Sequence, residues 1–124
     1  MTSSLNITSQ PLAEQSVVML SVAGRLDANT VSQLERALTD AQLSGHRAIV
    51  IDLGELTYIS SSGLRVLLAG RSNARKRGGE ILLCNLQPTV REILEMVGFS
   101  AIFPIFGSRE QAVAAALTTS DQTD

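Results

Sequence analysis

Ser60, Ser61 and Ser62 stand in a row before Gly63, at the end of the segment Asp52-Leu53-Gly54-Glu55-Leu56-Thr57-Tyr58-Ile59-Ser60-Ser61-Ser62-Gly63-Leu64. Where a turn enters a helix, a side-chain hydroxyl sits at the positive end of the helix dipole, beside backbone N–H groups that no carbonyl has taken. A phosphate is stabilised there, and it brings about −1.5 to −2 charge and three acceptor oxygens. One modified serine would then attract or repel a docked partner without moving the fold. Local chemistry allows a plainer alternative, in which one serine caps the helix and the others are small turn residues.

Other reactive patterns are thin. Metal sites need clusters of His, Cys or carboxylate, and His46 and Cys84 each stand alone in the sequence. His46, between a helix and a strand, reads as a solvated turn residue, and Cys84 as a small buried hydrophobe. No G-x-S-x-G elbow, G-x-G-x-x-G loop or Walker loop is present, so an enzyme is not expected. Arg65, Arg71, Arg75, Lys76 and Arg77 hold half of the ten Lys and Arg residues, with no acid between Glu55 and Glu80. Such a run is a solvated helix face or a docking surface.

The elements that must position these residues alternate between short β-branched runs and stretches of helical periodicity, the mark of an α/β fold with a mostly parallel sheet. The reading along the chain places strands at Leu5 to Gln10 and Ser16 to Gly24, then a helix over Ala28 to Leu43 with Val31, Leu34, Leu38 and Ala41 inward. Asp27 or Asn29 would cap that helix and Gly45 would end it. Arg47 to Leu53 is the expected central strand, followed by a turn over Gly54 to Ser62. A helix from about Gly63 to Arg77 follows, with Leu64, Leu67, Leu68 and Ala74 inward, stopped by Gly78 and Gly79.

Glu80 to Asn85 is the next strand, and Pro88 opens a helix with Val90, Ile93, Leu94 and Val97 inward, closed by Gly98. A short strand, Ile102 to Phe106, leads to a last helix from Arg109 to about Leu117, with Ser108 and Gln111 at capping spacing. The order is ββαβαβαβα: about five strands with an antiparallel first strand, and four helices. Parallel strands bring their carboxyl ends together, which sets Asp27 beside the serine turn. The expected core is Leu26, Val31, Leu34, Leu38, Ile49, Ile51, Leu64, Leu67, Leu83, Ile93 and Leu94.

The 124 residues suit a single domain, spanning 5–117, with unstructured ends at 1–4 and 118–124. A formal charge of −2 and an aromatic content of 3% give no field or stacking surface for nucleic acid. One cysteine, no leader-like start and no apolar run near the roughly 20 residues of a membrane span point to the cytoplasm.

The serine segment resembles the signature of STAS domains, in which an Asp-Leu pair ends a strand and a Ser-Ser/Thr-Gly-Leu or Ser-Ala-Gly-Leu sequence opens the next helix. Gly24-Arg25-Leu26-Asp27 with Asn29-Thr30 resembles the Gly-x-Leu-Asp turn of that family. Gly78-Gly79-Glu80, Pro88 and Met96-Val97-Gly98-Phe99 resemble its later landmarks. The resemblance covers about Leu5 to Leu117 and implies a STAS-like fold.

It also implies a bacterial anti-sigma factor antagonist, regulating sigma-factor-dependent transcription by binding an anti-sigma factor of the serine-kinase type. In such proteins the kinase phosphorylates the serine two places before the glycine, which is Ser61 here, and a serine phosphatase reverses it. Ser62 takes the place of the second Ser or Thr, and Ser60 stands where the best-known antagonists have Asp. Asp27, Asn29, Thr30, Ser60, Ser62, Gly63 and Arg65 would form the partner surface. No cofactor is implied, since ATP and magnesium would belong to the kinase. The family's other implied role is an unphosphorylated scaffold or regulatory subunit of a transporter or signalling complex, docked through the basic helix.

Overall fold

The computed structural model describes residues 4–12 and 16–121. Its elements in chain order are β1 (Leu5–Leu12), β2 (Val17–Leu26), α1 (Val31–Leu43), β3 (Ala48–Ile59), α2 (Ser61–Lys76), β4 (Glu80–Cys84), α3 (Pro88–Met96), β5 (Ile105–Phe106) and α4 (Arg109–Asp121). A short 3₁₀ turn, Phe99–Ala101, precedes β5. The five strands lie in the order β1-β2-β3-β4-β5, with β1 antiparallel to β2 and every other neighbouring pair parallel. This is the expected ββαβαβαβα architecture.

Side chains alternate across the sheet, so each strand feeds two cores. Val18, Leu20, Ile49, Ile51, Ile81 and Leu83 meet Leu34, Leu38, Leu67 and Leu94 of the first three helices. Val17, Met19, Ala48, Val50, Leu82 and Cys84 face the opposite way, onto Ala112 and Ala116 of α4. The uninterrupted apolar run Ala48 to Ile51 exists because β3 is covered on both faces. Of the expected core, Leu26, Leu34, Leu38, Ile49, Ile51, Leu67, Leu83 and Leu94 are buried, while Val31, Leu64 and Ile93 pack half-buried at its border.

Several expectations need correction. β3 does not end at Leu53 but continues to Ile59, and β2 continues to Leu26. Gly54 and Glu55 look like a turn in sequence, yet register shifts after Ser21 and after Gly24 let β3 carry two extra residues while it stays paired with β2. Helix α2 opens at Ser61, two residues before Gly63. Leu68 and Val97 point outward rather than inward. The last strand contracts to Ile105–Phe106 because the chain first winds through the 3₁₀ turn.

His46 is half-buried, with Nδ1 3.1 Å from the Ala41 carbonyl and Nε2 closed off without a hydrogen-bond partner among the described residues, so it is not a solvated turn residue. Helix α4 reaches Asp121, into the stretch expected to lack structure. The expectation for residues 1–3 and 122–124 lies outside the described residues. Among the described residues no helix is long and apolar enough to cross a membrane.

Candidate functional site

The site grows from the carboxyl ends of β2 and β3. Leu26 pairs with Ile59, and the Ser60 N–H donates to the Leu26 carbonyl at 2.9 Å, so the two chains leave the sheet side by side. Asp27 and Ser60, the next residue of each, therefore adjoin, as the parallel arrangement requires.

The three serines divide the work at this helix start. Ser60 has an extended backbone and is the N-cap: its hydroxyl accepts the Gly63 N–H at 3.3 Å and its carbonyl accepts the Leu64 N–H at 3.0 Å. Ser61 is the first helical residue, exposed, and its hydroxyl makes no hydrogen bond among the described residues. Ser62 is half-buried, with its hydroxyl 3.5 Å from Nη2 of Arg65, one turn on. The N–H groups of Ser61 and Ser62 have no intrahelical acceptor, as the geometry of a helix start dictates.

Gly63 is buried and its role is close packing. A Cβ there would stand 2.8 Å from Leu26 Cγ and 2.9 Å from Ile59 Cγ1, tighter than real contacts allow. Glycine thus lets α2 settle on the ends of β2 and β3. It is not a surface residue.

The neighbouring loop is built by Asp27 and Thr30. Asp27 Oδ1 accepts the Asn29 N–H at 2.9 Å, its carbonyl accepts the Val31 N–H at 2.9 Å, and its Oδ2 lies 3.9 Å from Arg25 Nε. Asp27 therefore turns the chain into α1, but the formal cap is Thr30, which makes no side-chain cap bond. Thr30 is 3% exposed, and its hydroxyl donates to the Arg25 carbonyl at 2.7 Å while accepting the Asp27 N–H at 3.0 Å. The expectation of a surface contact at Thr30 is corrected: with its hydroxyl engaged inside, it holds the loop from beneath. Asn29 is exposed.

Two residues of this surface escaped the sequence reading. The guanidinium of Arg25 lies 4.2 Å over the ring of Tyr58, which is 38% exposed. They meet because the second register shift sets Arg25 opposite Tyr58. Arg25 stands within the Gly-x-Leu-Asp motif and Tyr58 is one of few aromatics, but no spacing in the sequence announces the pair.

On α2, Ser61, Arg65, Leu68, Ala69, Ser72 and Lys76 form an exposed row leading away from the serine turn. Arg75 is tied to Glu80 at 3.4 Å. A separate polar centre lies on the α4 side of the sheet, around the 8%-exposed Asp52. Its carboxylate accepts from the Gly54 N–H at 2.8 Å and Asn85 Nδ2 at 3.3 Å, and pairs with Arg109 Nε at 3.2 Å. Burial, with the Asp52 charge beside it, pushes the Cys84 thiol up to about 11, so it stays protonated and inert. Among the described residues no three His, Cys, Asp or Glu side chains converge as metal ligands would.

Comparison with known proteins agrees with this arrangement. The family model for the STAS domain matches residues 10–112. BtrV of Bordetella bronchiseptica, described as a candidate anti-sigma factor antagonist, is 47% identical over 92 residues, covering 74% of this chain and 79% of that protein. The anti-sigma F factor antagonist of Paenibacillus polymyxa is 28% identical over 110 residues, 88% of this chain and 94% of its own. Among solved structures, an anti-sigma factor antagonist from Mycobacterium paratuberculosis superposes with a TM-score of 0.83 at 25% identity, covering 92% of this chain and 95% of that one. The unphosphorylated form of the antagonist SpoIIAA shares the fold with a TM-score of 0.80 at 20% identity, over 91% of this chain and 97% of its own. The chain belongs to the STAS domain family, among whose members similar to it are proteins named as anti-sigma factor antagonists.

Proposed function

We propose that this domain is a protein-binding switch: unmodified, it captures an anti-sigma factor of the serine-kinase type and frees a sigma factor, and phosphorylation of Ser61 abolishes capture. A serine phosphatase resets it, and the exchange takes place in the cytoplasm. The observation that carries this reading is the difference among the three serines. Ser60 is engaged as the cap and Ser62 sits beside Arg65, whereas Ser61, of the three, offers an exposed hydroxyl with no hydrogen bond among the described residues at the start of α2. A phosphate on it would meet the unpaired N–H groups and the positive end of the helix.

Asn29, Ser62 and Arg65 would border the contact, with Asp27, Thr30, Ser60 and Gly63 holding the surface in shape. Ser60 replaces an Asp of the family without loss of the cap, since both residue types are strong N-caps. ATP and magnesium belong to the kinase, and this chain is its substrate.

Incubation with the cognate kinase and ATP, followed by peptide mapping, should place one phosphate on the peptide containing Tyr58 to Leu64. It should be lost in Ser61→Ala and kept in Ser62→Ala. Ser61→Ala should bind the anti-sigma factor and Ser61→Asp should fail. Label persisting in Ser61→Ala defeats the assignment. An active kinase that leaves no label favours the scaffold role instead, for which the exposed Arg65 and Lys76 of α2 are the supporting observation.

A further inference from the structure

Strand β1 forms one of the two edges of the sheet, and its backbone is open in a definite pattern. The Arg25 N–H donates to the Ser4 carbonyl at 3.0 Å, so Ser4 and every second residue after it turn their backbone groups toward β2. Leu5, Ile7, Ser9 and Pro11 turn theirs outward. Pro11, which has no N–H, stands at an outward position, where it costs the ladder no bond. From Leu5 to Ser9 the edge is unguarded: β1 carries no charged residue, and charge is one of the devices by which edge strands repel one another.

Beside this edge runs a groove of about 630 Å³ between β1 and α1, lined by Leu5, Ile7, Pro11, Arg36, Ala37 and Asp40 among others. Arg36 and Asp40 are exposed, one turn apart, and in no ion pair among the described residues. With the cation on the N-terminal side, they have the weaker orientation for pairing along one helix. Their charges are unspent.

We propose that this edge is a self-association surface, at which two copies of the chain pair their β1 strands antiparallel about Ile7. A two-fold axis there sets Ile7 opposite its own counterpart and Leu5 opposite Ser9, so the outward N–H and C=O groups of all three residues exchange hydrogen bonds. Helix α1 and strand β1 both run antiparallel to β2, hence in the same direction. The same axis therefore lays the two α1 helices antiparallel across the joint and brings Arg36 of each copy toward Asp40 of the other. A cation and an anion one turn apart beside an open strand form a pattern complementary to itself, and that singles out a second copy as the occupant. None of these residues belongs to the serine turn, so the proposal stands or falls separately from the switch.

Sedimentation equilibrium of the full chain, from micromolar to millimolar concentration, tests it. The native chain should reach twice its 13.2 kDa mass. Arg36→Asp should halve the apparent mass by setting like charges together, and the swap Arg36→Asp/Asp40→Arg should restore the dimer. Ile7→Pro removes the outward N–H at the centre of the pairing, together with a half-buried side chain at the border of the core, and should give a monomer whose circular dichroism still shows the native fold. A native chain that stays monomeric throughout overturns the proposal and leaves the edge to an extended segment of another protein. A dimer that survives both Arg36→Asp and Ile7→Pro overturns it by placing the contact elsewhere.

Discussion

Ser60 and Gly63 contribute to the site by different physics, and substitution separates them. Ser60→Ala removes the acceptor of the Gly63 N–H and should lower stability by about 1 kcal/mol. Gly63→Ala drives a methyl group into Leu26 and Ile59, and overpacking of that kind costs about 1–3 kcal/mol. Urea unfolding measures both, and equal losses below about half a kcal/mol would refute the packing role of Gly63. Cys84 offers a test by pH. Its thiol is raised from 9.0 to about 11 in the fold, so the protonated form is favoured there. The stability it contributes is complete below the unfolded value and disappears as pH rises toward the folded one. Unfolding free energy should fall between about pH 9 and 11, and Cys84→Ala should flatten that slope. An unchanged slope would mean that the thiol is not the group responsible.

At the scale of elements, Asp52 joins three of them: it lies on β3, accepts from Asn85 just beyond β4, and pairs with Arg109 at the start of α4. Asp52→Ala leaves the Gly54 N–H and the Asn85 amide without their acceptor, at a cost of about 1–3 kcal/mol by thermal or urea unfolding. Arg109→Ala should cost less, because Arg109 is half-exposed and water can replace it at Asp52. A reversed order would show that α4 docking, and not the backbone around β3, depends on this pair. The extension of β3 to Ile59 is the element that most shapes the site, since it sets the height at which Ser61 leaves the sheet. Its alternation is broken by the register shifts, which is why Leu56 and Ile59 did not read as strand residues although both are buried.

For the whole molecule, the sheet keeps two independent cores, and each should respond to its own substitution. Leu34→Ala empties part of the three-helix side and should cost about 2–5 kcal/mol. Ala112→Glu forces a charge between α4 and the sheet and should release α4 while leaving the opposite core packed. Hydrogen exchange distinguishes the two outcomes: loss of protection confined to 109–121 for Ala112→Glu, and loss across the sheet for Leu34→Ala. Uniform loss in both would mean that the layers unfold as one unit.

The α/β class, the order of elements and most core faces are legible in the amino-acid sequence, because hydrophobic periodicity is local: Leu34 and Leu38 on one helical face, Ala48 to Ile51 in one buried strand. The family is legible there too, because the serine turn and the Gly-Arg-Leu-Asp turn are short local motifs. What those motifs do with their atoms is set by the three-dimensional fold. Whether Ser60, Ser61 or Ser62 caps α2 depends on where β3 ends, and that depends on register shifts against β2, a strand about thirty residues away. The stacking of Arg25 on Tyr58 and the convergence on Asp52 are likewise contacts between strands and helices distant in the chain. Periodicity carries no information about such contacts, because it records which face a residue lies on and not which residue it meets there.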